Sequence, residues 1–222
     1  MNGSAGRAAF FDVDGTLTRT TTMFDVLRFD AVERGIERQG EAFLDELRRT
    51  QTEDGTPRAE ANRSYFRWWR HRRVDEVAAL VERWADSRPA DYFHPSTLAR
   101  LQMHHAAGDL IVLVSGSVPI LLQHLAGALG ASVVLATRMT TDGSVFTGEI
   151  DDPMIGNRKA AAVAELAEER GLDLQAAAAY GDHDSDAPLL ALVGDPIFCS
   201  RPGEPACQAA VSRGWATLHL TS

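Results

Sequence analysis

A short apolar segment near the start of the chain leads directly into two aspartates and a glycine. The segment is Ala8-Ala9-Phe10-Phe11, and Asp12-Val13-Asp14-Gly15-Thr16 follows it. Four consecutive apolar residues before such a turn predict a buried strand that ends near Asp14. Because residues i and i+2 of a strand point to the same side, Asp12 and Asp14 are expected to face one direction.

Two carboxylates held this close repel each other unless a cation or a shared proton compensates them. The functional interpretation is a divalent metal combined with nucleophilic or acid–base chemistry. The alternative is a solvated Asp-Gly turn, and the remainder of the chain has to decide between the two.

The composition is that of an ordinary globular protein, with 45% hydrophobic and 24% charged residues. A net charge of −9 argues against non-specific binding to nucleic acid or to an anionic membrane. The apolar runs are too short to cross a bilayer and no signal peptide is apparent, so we expect a cytoplasmic protein. Its oligomeric state is left open between a monomer and a homodimer. Cys199 and Cys207 are eight residues apart, which fits neither a redox pair nor a zinc knuckle.

The part of the chain after Pro89 alternates between strand and helix patterns. Strands are predicted over residues 110–114, 132–136, 176–180, 196–199 and 215–218. Helices are predicted over residues 96–107, 118–129, 159–170, 187–192 and 205–213, and residues 138–150 predict a hairpin that turns at Asp142-Gly143. This alternation predicts an α/β fold, a Rossmann-like doubly wound parallel sheet covered on both faces, plus a small β-hairpin.

Between the first strand and Pro89 the sequence predicts helices only. Apolar residues recur at helical spacing over residues 23–36, 41–49, 57–72 and 74–84. We therefore expect a helical insertion with its own small core at residues 21–88, and an α/β core formed by residues 1–20 and 89–222. Within the insertion, Arg63, Arg67 and Arg70 are candidates for binding the substrate. A solvated basic face with the neighbouring aromatic residues packed inward is the alternative.

Polar residues gather where the predicted strands end. Ser115-Gly116-Ser117 follows one strand, and Asp182, Asp184 and Asp186 follow another. In open α/β sheets, ligands bind beyond the carboxyl ends of the strands. Lys159, the only lysine of the chain, begins a predicted helix, where the helix dipole mildly disfavours a cation. An anionic partner is therefore expected for it.

In this arrangement the residues resemble the haloacid dehalogenase-like superfamily of phosphohydrolases. Four signatures of that superfamily have counterparts here in order: Asp12-Val13-Asp14-Gly15-Thr16, Ser115, Lys159, and Gly181-Asp182 followed by Asp186. The resemblance covers nearly the whole chain. The long helical insertion after the first signature is similar to the type C1 cap of the phosphoserine phosphatase-like branch, subfamily IB.

The resemblance implies a phosphatase that works through an aspartyl-phosphate intermediate. Asp12 would attack phosphorus, and Asp14 would protonate the leaving oxygen and then activate water. Mg²⁺ would be bound by Asp12, Asp182 and the main-chain carbonyl of Asp14.

The resemblance also implies how the phosphoryl oxygens are held. Thr16, Ser115 and Gly116 would bind them, and Lys159 would neutralise their charge. Asp186 would orient Lys159 or a metal-bound water. His183 is interpreted as a loop residue near the site.

The sequence departs from the phosphoserine phosphatases at one position that bears on the substrate. Those enzymes carry a glutamate nine residues past the nucleophile to bind the substrate amine, whereas this chain has Thr21. A hydroxyl lacks the charge that an ammonium requires. The prediction is therefore a phosphomonoesterase for another small metabolite, such as a phosphorylated alcohol, sugar or cyclitol.

Three other functions are considered. A phosphotransferase or phosphomutase would use the same intermediate and pass the phosphoryl group to a hydroxyl. A non-catalytic protein that binds a phosphorylated ligand is disfavoured by the presence of Asp14, and dehalogenation does not require that second aspartate.

Overall fold

The computed structural model describes residues 6–201, 203 and 208–221, and its central feature is a six-stranded parallel sheet. The strands of the chain are β1 Ala8–Phe11, β2 Leu110–Ser115, β3 Val133–Ala136, β4 Met139–Asp142, β5 Val145–Ile150, β6 Ala178–Gly181, β7 Asp195–Ser200 and β8 Ala216–His219. The sheet order is β3-β2-β1-β6-β7-β8, and β4 pairs with β5 as a separate antiparallel hairpin. The predicted doubly wound sheet and hairpin are confirmed.

The chain leaves β1 towards β2 and β3 on one side, and β6, β7 and β8 lie on the other. The strand order therefore reverses at β1, and a crevice forms beyond the carboxyl ends of the strands at this point. The end of β1 is the position of the first predicted signature.

Helices surround the sheet and fill the segment before β2. They are α1 Thr22–Glu33, α2 Glu37–Thr52, α3 Arg58–Tyr65, α4 Val74–Asp86, α5 Pro95–Ala106, α6 Pro119–Leu129, α7 Asn157–Arg170, α8 Ala187–Leu190 and α9 Gln208–Arg213. A 3₁₀ helix at Phe66–Trp69 follows α3, and α6 and α7 each end at a glycine with positive φ, Gly130 and Gly171. None of the described helices is long and apolar enough to cross a membrane.

Alternate residues of β1 bury into the two faces of the sheet. Phe10 packs with Val163 of α7 and Leu189 of α8 on one face, and Phe11 belongs to the apolar cluster on the other. Both phenylalanine side chains are fully buried. Burial on both faces explains why β1 is a continuous apolar run rather than an alternating one.

The helical insertion does not have the separate core that the sequence predicts. Leu27 of α1, Leu44 of α2 and Tyr65 of α3 belong to the same buried cluster as Phe11. That cluster also contains residues of α6, so the apolar side chains of the insertion pack against one face of the sheet and its covering helix. The insertion is called the cap below and comprises α1 to α4.

The hairpin formed by β4 and β5 is fastened to the cap. The backbone N–H of His71 donates to the carbonyl of Phe146 at 2.8 Å, and the N–H of Phe146 donates to the carbonyl of Arg72 at 2.9 Å. Gly148, with φ of +80°, lies so close to Arg70 that a Cβ atom there would approach the Arg70 Cβ to 2.8 Å. The hairpin therefore joins the cap through the same kind of backbone pairing that holds a sheet together.

Two sequence expectations extend beyond the described residues. The last predicted helix began at residue 205, and α9 is described only from Gln208. Cys199 is a free, buried thiol, while Cys207 lies outside the described residues.

A fully buried carboxylate organises the cap from inside. Asp30 is 0% exposed and accepts hydrogen bonds from Trp68 Nε1 at 2.8 Å, Arg72 at 2.6 Å and Arg34 at 3.1 Å. Three donors satisfy one carboxylate, so its removal leaves several polar groups without a partner.

We predict that Asp30→Ala lowers the free energy of unfolding by about 3 kcal/mol, because it removes a buried carboxylate that pairs with two arginines and leaves the indole N–H of Trp68 without its acceptor. Urea denaturation followed by circular dichroism measures the change. Asp45→Ala is the matched control, since Asp45 pairs with Arg48 at 2.7 Å on an exposed helix face and should change stability by less than about 0.5 kcal/mol. Equal losses in the two variants would contradict the prediction.

Candidate active site

The carboxylate of Asp12 lies directly beyond the end of β1. Its backbone N–H donates to the carbonyl of Tyr180 at 2.9 Å, which continues the pairing of β1 with β6 by one residue. The residue is 5% exposed, and its Oδ1 accepts a hydrogen bond from Nζ of Lys159 at 2.5 Å. A single cation thus fixes the orientation of a carboxylate that burial has largely removed from water.

Lys159, in the first turn of α7, is held between two carboxylates. Its Nζ donates to Asp12 and, at 2.7 Å, to Oδ1 of Asp186. Burial on its own would lower the pKa of Lys159, but the charges of Asp12 and Asp186 outweigh burial and raise that pKa. The side chain therefore remains an ammonium, and the anionic partner expected from its position is a pair of carboxylates. The second oxygen of Asp186 accepts the backbone N–H of His183 at 3.2 Å.

Three carboxylates converge at this point. Oxygens of Asp12, Asp182 and Asp186 lie within 4.8 Å of one another. Burial, followed by the charges of Asp12 and Asp186, raises the pKa of Asp182 to about 8. One ammonium cannot balance three ionised carboxylates this close together, so their ionisation is disfavoured unless a further cation binds. Hard oxygen donors in such a cluster fit a divalent cation such as Mg²⁺.

Asp14 lies in the turn that follows β1 and lines the same cleft as Asp12. Strand β1 ends at Phe11, not near Asp14, so the alternation of a strand does not apply to Asp12 and Asp14. Oδ1 of Asp14 accepts the backbone N–H of Thr22 at 2.8 Å, at the start of the cap. Burial and then the charge of Asp12 raise the pKa of Asp14 to about 6.

The turn after Asp14 requires glycine. Gly15 has φ of +88°, and a Cβ atom there would lie 2.3 Å from Oδ2 of Asp182. Thr16 is fully buried and its hydroxyl donates to Oδ1 of Asp182 at 3.0 Å. Thr16 was predicted to hold phosphoryl oxygens; its hydroxyl instead holds a carboxylate of the acidic cluster, and it is not among the residues that line the cleft.

A cleft of about 470 Å³ opens above these residues, between the sheet edge and the cap. The predicted residues that line it are Asp12, Asp14, Thr21, Ser115, Gly116 and Lys159. Ser115 is the last residue of β2, and its Oγ accepts the backbone N–H of Ser117 at 3.1 Å. Thr21 precedes the first residue of α1.

The three arginines predicted to bind the substrate do not line the cleft. Arg63 donates to the carbonyl of Ile150 at 3.0 Å, and Arg70 to the carbonyl of Thr147 at 3.0 Å, so both side chains are directed to the hairpin. Arg67 is exposed. The structure therefore does not bring these three arginines to the cleft. The neighbouring aromatics Tyr65, Phe66 and Trp69 are buried, as in the alternative of aromatic residues packed inward.

The cleft is also lined by residues that the sequence does not predict as substrate contacts, among them Arg58, Asn62 and His183. Arg58 and Asn62 lie one turn apart on α3, so they share a face with Tyr65. The positive charge of Arg58 partly offsets the rise that burial causes in the pKa values of Asp12, Asp14 and Asp182, as expected for a cation near the acidic cluster. The sequence signal that could have identified these residues is their helical spacing. It places Arg58 and Asn62 on one face of the helical segment and Arg63 and Arg67 on another.

Comparison with known proteins identifies the family. A family model described as haloacid dehalogenase-like hydrolase matches residues 9–191. The chain is 32% identical over 224 residues to phosphoserine phosphatase SerB1 of Mycobacterium tuberculosis, a match that covers 94% of this chain and 69% of that protein. It is 35% identical over 158 residues to the inhibition of morphological differentiation protein of Streptomyces azureus, covering 68% of this chain and 54% of that protein. The chain thus spans only about half the length of the Streptomyces relative.

Solved structures show the same architecture. A Bordetella pertussis protein of unknown function superposes with a TM-score of 0.84 at 23% identity, covering 97% of this chain and 99% of that chain. A phosphoserine phosphatase solved with bound substrate superposes with a TM-score of 0.68 at 16% identity, covering 99% and 95%. At these identities the likeness is one of fold.

The chain belongs to the haloacid dehalogenase-like hydrolases. Within that family its fold is that of the phosphoserine phosphatase-like branch, as the helical insertion after the first signature predicts.

The crowded carboxylates predict a pH-dependent stability of the metal-free protein. An unfolded aspartate loses its proton near pH 4, whereas the pKa of Asp182 in the fold is raised to about 8. Between these values the folded state holds a proton that the unfolded state lacks, so the stability contributed by Asp182 falls as the pH rises through that window.

In EDTA, Asp182→Asn should therefore gain stability relative to wild type as the pH rises from about 5 to about 8, by roughly 4 °C in Tm or more. Differential scanning fluorimetry at several pH values measures this difference. Asp184→Asn is the control, because Asp184 lies in the same loop and is exposed. A difference in Tm that does not change with pH would refute the prediction for Asp182.

Proposed function

We propose that this protein is a Mg²⁺-dependent phosphomonoester phosphatase that forms an aspartyl-phosphate on Asp12. The observation that carries the proposal is the ion pair of Asp12 with Lys159 at 2.5 Å, on the floor of a cleft that Ser115 and Asp14 also line. The family and the fold agree with it.

Two displacements at phosphorus account for the hydrolysis. A carboxylate oxygen of Asp12 attacks phosphorus, and the bond to the ester oxygen breaks while Asp14 supplies the proton to the departing alcohol. Water then attacks the phosphorus of the acyl phosphate, gives its proton to Asp14, and releases inorganic phosphate with the Asp12 carboxylate restored.

Asp14 is suited to this double role. Burial and the charge of Asp12 raise its pKa to about 6, near neutrality, so both protonation states are accessible. The hydrogen bond from the Thr22 N–H engages Oδ1 and leaves Oδ2 for the proton. Because Thr22 begins α1, the acid–base group is oriented by the cap rather than by the sheet.

The metal has a fitting donor set. Asp12 and Asp182, with the main-chain carbonyl of Asp14, would hold Mg²⁺, and Asp186 orients Lys159. When bound, the ion offsets the repulsion between the Asp12 carboxylate and the phosphate and stabilises negative charge on the transferring oxygens. The hydrogen bond from the Thr16 hydroxyl orients Asp182 for this purpose.

The substrate that we propose is a small phosphorylated alcohol, sugar or cyclitol rather than phosphoserine. Asp12 and Asp14 are the only carboxylates among the described residues that line the cleft, and Thr21 stands where an amine-binding glutamate would be required. The remaining wall is apolar or neutral polar, with Arg58 as a second cation besides Lys159. Such a wall provides no partner for an ammonium group.

The activity has a direct test. Purified protein with Mg²⁺ should hydrolyse a generic aryl phosphate, and Asp12→Asn should reduce turnover by at least about 10³-fold because the amide is a poor nucleophile. Phosphate release is measured in both, with and without EDTA. Turnover that survives EDTA, or that is unchanged in Asp12→Asn, would rule out the mechanism.

The same assay separates hydrolysis from phosphoryl transfer. A phosphatase releases one phosphate for each alcohol produced, even when a hydroxyl acceptor is added. A transferase leaves phosphate release short of alcohol release, because part of the phosphoryl group reaches the added acceptor. A panel of phosphorylated metabolites that includes phosphoserine then identifies the substrate class.

Arg58 should contribute to binding the phosphorylated substrate. Arg58→Gln is expected to raise KM for an aryl phosphate about 5-fold. This change corresponds to a loss of about 1 kcal/mol in binding free energy, as expected when an exposed cation near the phosphate is removed. Arg67→Gln is the matched control, since Arg67 lies outside the cleft and should change KM less than about 2-fold. Similar changes in the two variants would show that the face of α3 was assigned wrongly.

A further inference from the structure

We infer that Asn62 of the cap is a positioning residue for the Ser115 hydroxyl, and that one hydrogen-bonded peptide group links the two. The inference rests on the proposed function, because it gives Ser115 the phosphoryl oxygens as its partner. It makes phosphate binding depend on a side chain that lies on the cap and not on the sheet.

The first link is a hydrogen bond across the cleft. Nδ2 of Asn62 on α3 donates to the carbonyl oxygen of Gly116 at 3.0 Å. The same nitrogen lies 3.9 Å from Sδ of Met23, a weak acceptor. Two acceptors around one nitrogen identify the donor end of the amide, so the orientation of the Asn62 side chain follows from its surroundings.

The second link is the peptide group itself. The Gly116 carbonyl and the Ser117 N–H belong to one planar unit and point in opposite directions. The Ser117 N–H donates to Oγ of Ser115 at 3.1 Å. Asn62 holds one end of this plane while Ser115 accepts from the other end, so a rotation of the peptide would break both hydrogen bonds together.

The consequence for Ser115 concerns its proton. A serine hydroxyl has one donor and two acceptor sites. Because Oγ accepts the Ser117 N–H, the hydroxyl proton of Ser115 cannot point towards that group. The proton is therefore available to donate to another acceptor. Ser115 lines the cleft beside Asp12 and Lys159, where an anionic phosphoryl oxygen is the acceptor that the proposed reaction supplies.

The position of Asn62 is not explained by packing alone. Its Oδ1 is buried and has no hydrogen-bond partner among the described residues, a cost that an apolar side chain of the same size would avoid. The space is also filled, since a Cβ atom on Gly116 would lie 3.3 Å from Nδ2 of Asn62 and 3.2 Å from Ile155. A leucine would fill the same space, so the specific contribution of Asn62 is its N–H donor.

Two substitutions test the donor. Asn62→Leu keeps the volume and removes the donor, and Asn62→Asp puts an oxygen against the Gly116 carbonyl. We expect both to raise KM for an aryl phosphate and Kd for inorganic phosphate about 10-fold, while kcat changes less than about 3-fold, because Ser115 binds phosphate in the ground state as well. Calorimetric titration with inorganic phosphate measures Kd without turnover.

The decisive measurement is a double-mutant cycle with Ser115→Ala. If Asn62 acts through Ser115, Asn62→Leu should change the Kd of phosphate less than about 2-fold in the Ser115→Ala background. If the fold-changes in the Kd of phosphate caused by the two single substitutions multiply fully in the double variant, the inference is overturned. Gln39→Glu is the control for adding charge to the cap, since Gln39 is exposed on α2, and it should leave KM within about 2-fold.

The outcomes separate this inference from the proposed function. Wild-type activity that Asp12→Asn abolishes and both Asn62 variants retain would refute the role of Asn62 alone. If both Asn62 variants lose phosphate affinity only in proportion to a fall in Tm, Asn62 stabilises the cap. That result would also refute its role in positioning Ser115. A wild-type protein that neither hydrolyses aryl phosphate nor binds inorganic phosphate would contradict both proposals.

Discussion

The ammonium of Lys159 between the carboxylates of Asp12 and Asp186 is the interaction on which the rest of the site depends. It brings together three parts of the chain that are far apart in sequence: the end of β1, the start of α7 and the loop after β6. Buried carboxylates at this density are tolerated only with a compensating charge. The parallel sheet makes the contact possible, because the ends of its strands open at the same edge.

The residues at the strand ends could be predicted from the sequence because each signal is local. Asp12 and Ser115 follow apolar runs, and Lys159 stands alone as a lysine at a helix start. The topology rule for open sheets then places them together. The exact end of β1 could not be predicted, since Val13 continues the apolar pattern while the backbone has already left the sheet.

The contacts of the cap could not be predicted in the same way. Arg63 and Arg67 are one helical turn apart, as are Arg58 and Asn62, so two faces of one helical segment carried polar residues. Periodicity shows which residues share a face, but only the packing of the cap on the sheet decides which face meets the cleft. Arg63 and Arg70 instead bind the hairpin, which lies some eighty positions later in the chain. Nothing in the sequence around the two arginines indicates that contact.

The pairing of the hairpin with residues 71–73 has a mechanical consequence. The cap leaves and re-enters the core through two chain connections, and the hairpin adds a third attachment that is not covalent. A movement of the whole cap away from the hairpin would have to break these backbone hydrogen bonds. The exposed turn between α2 and α3, where Thr56 lines the cleft, lies away from this pairing.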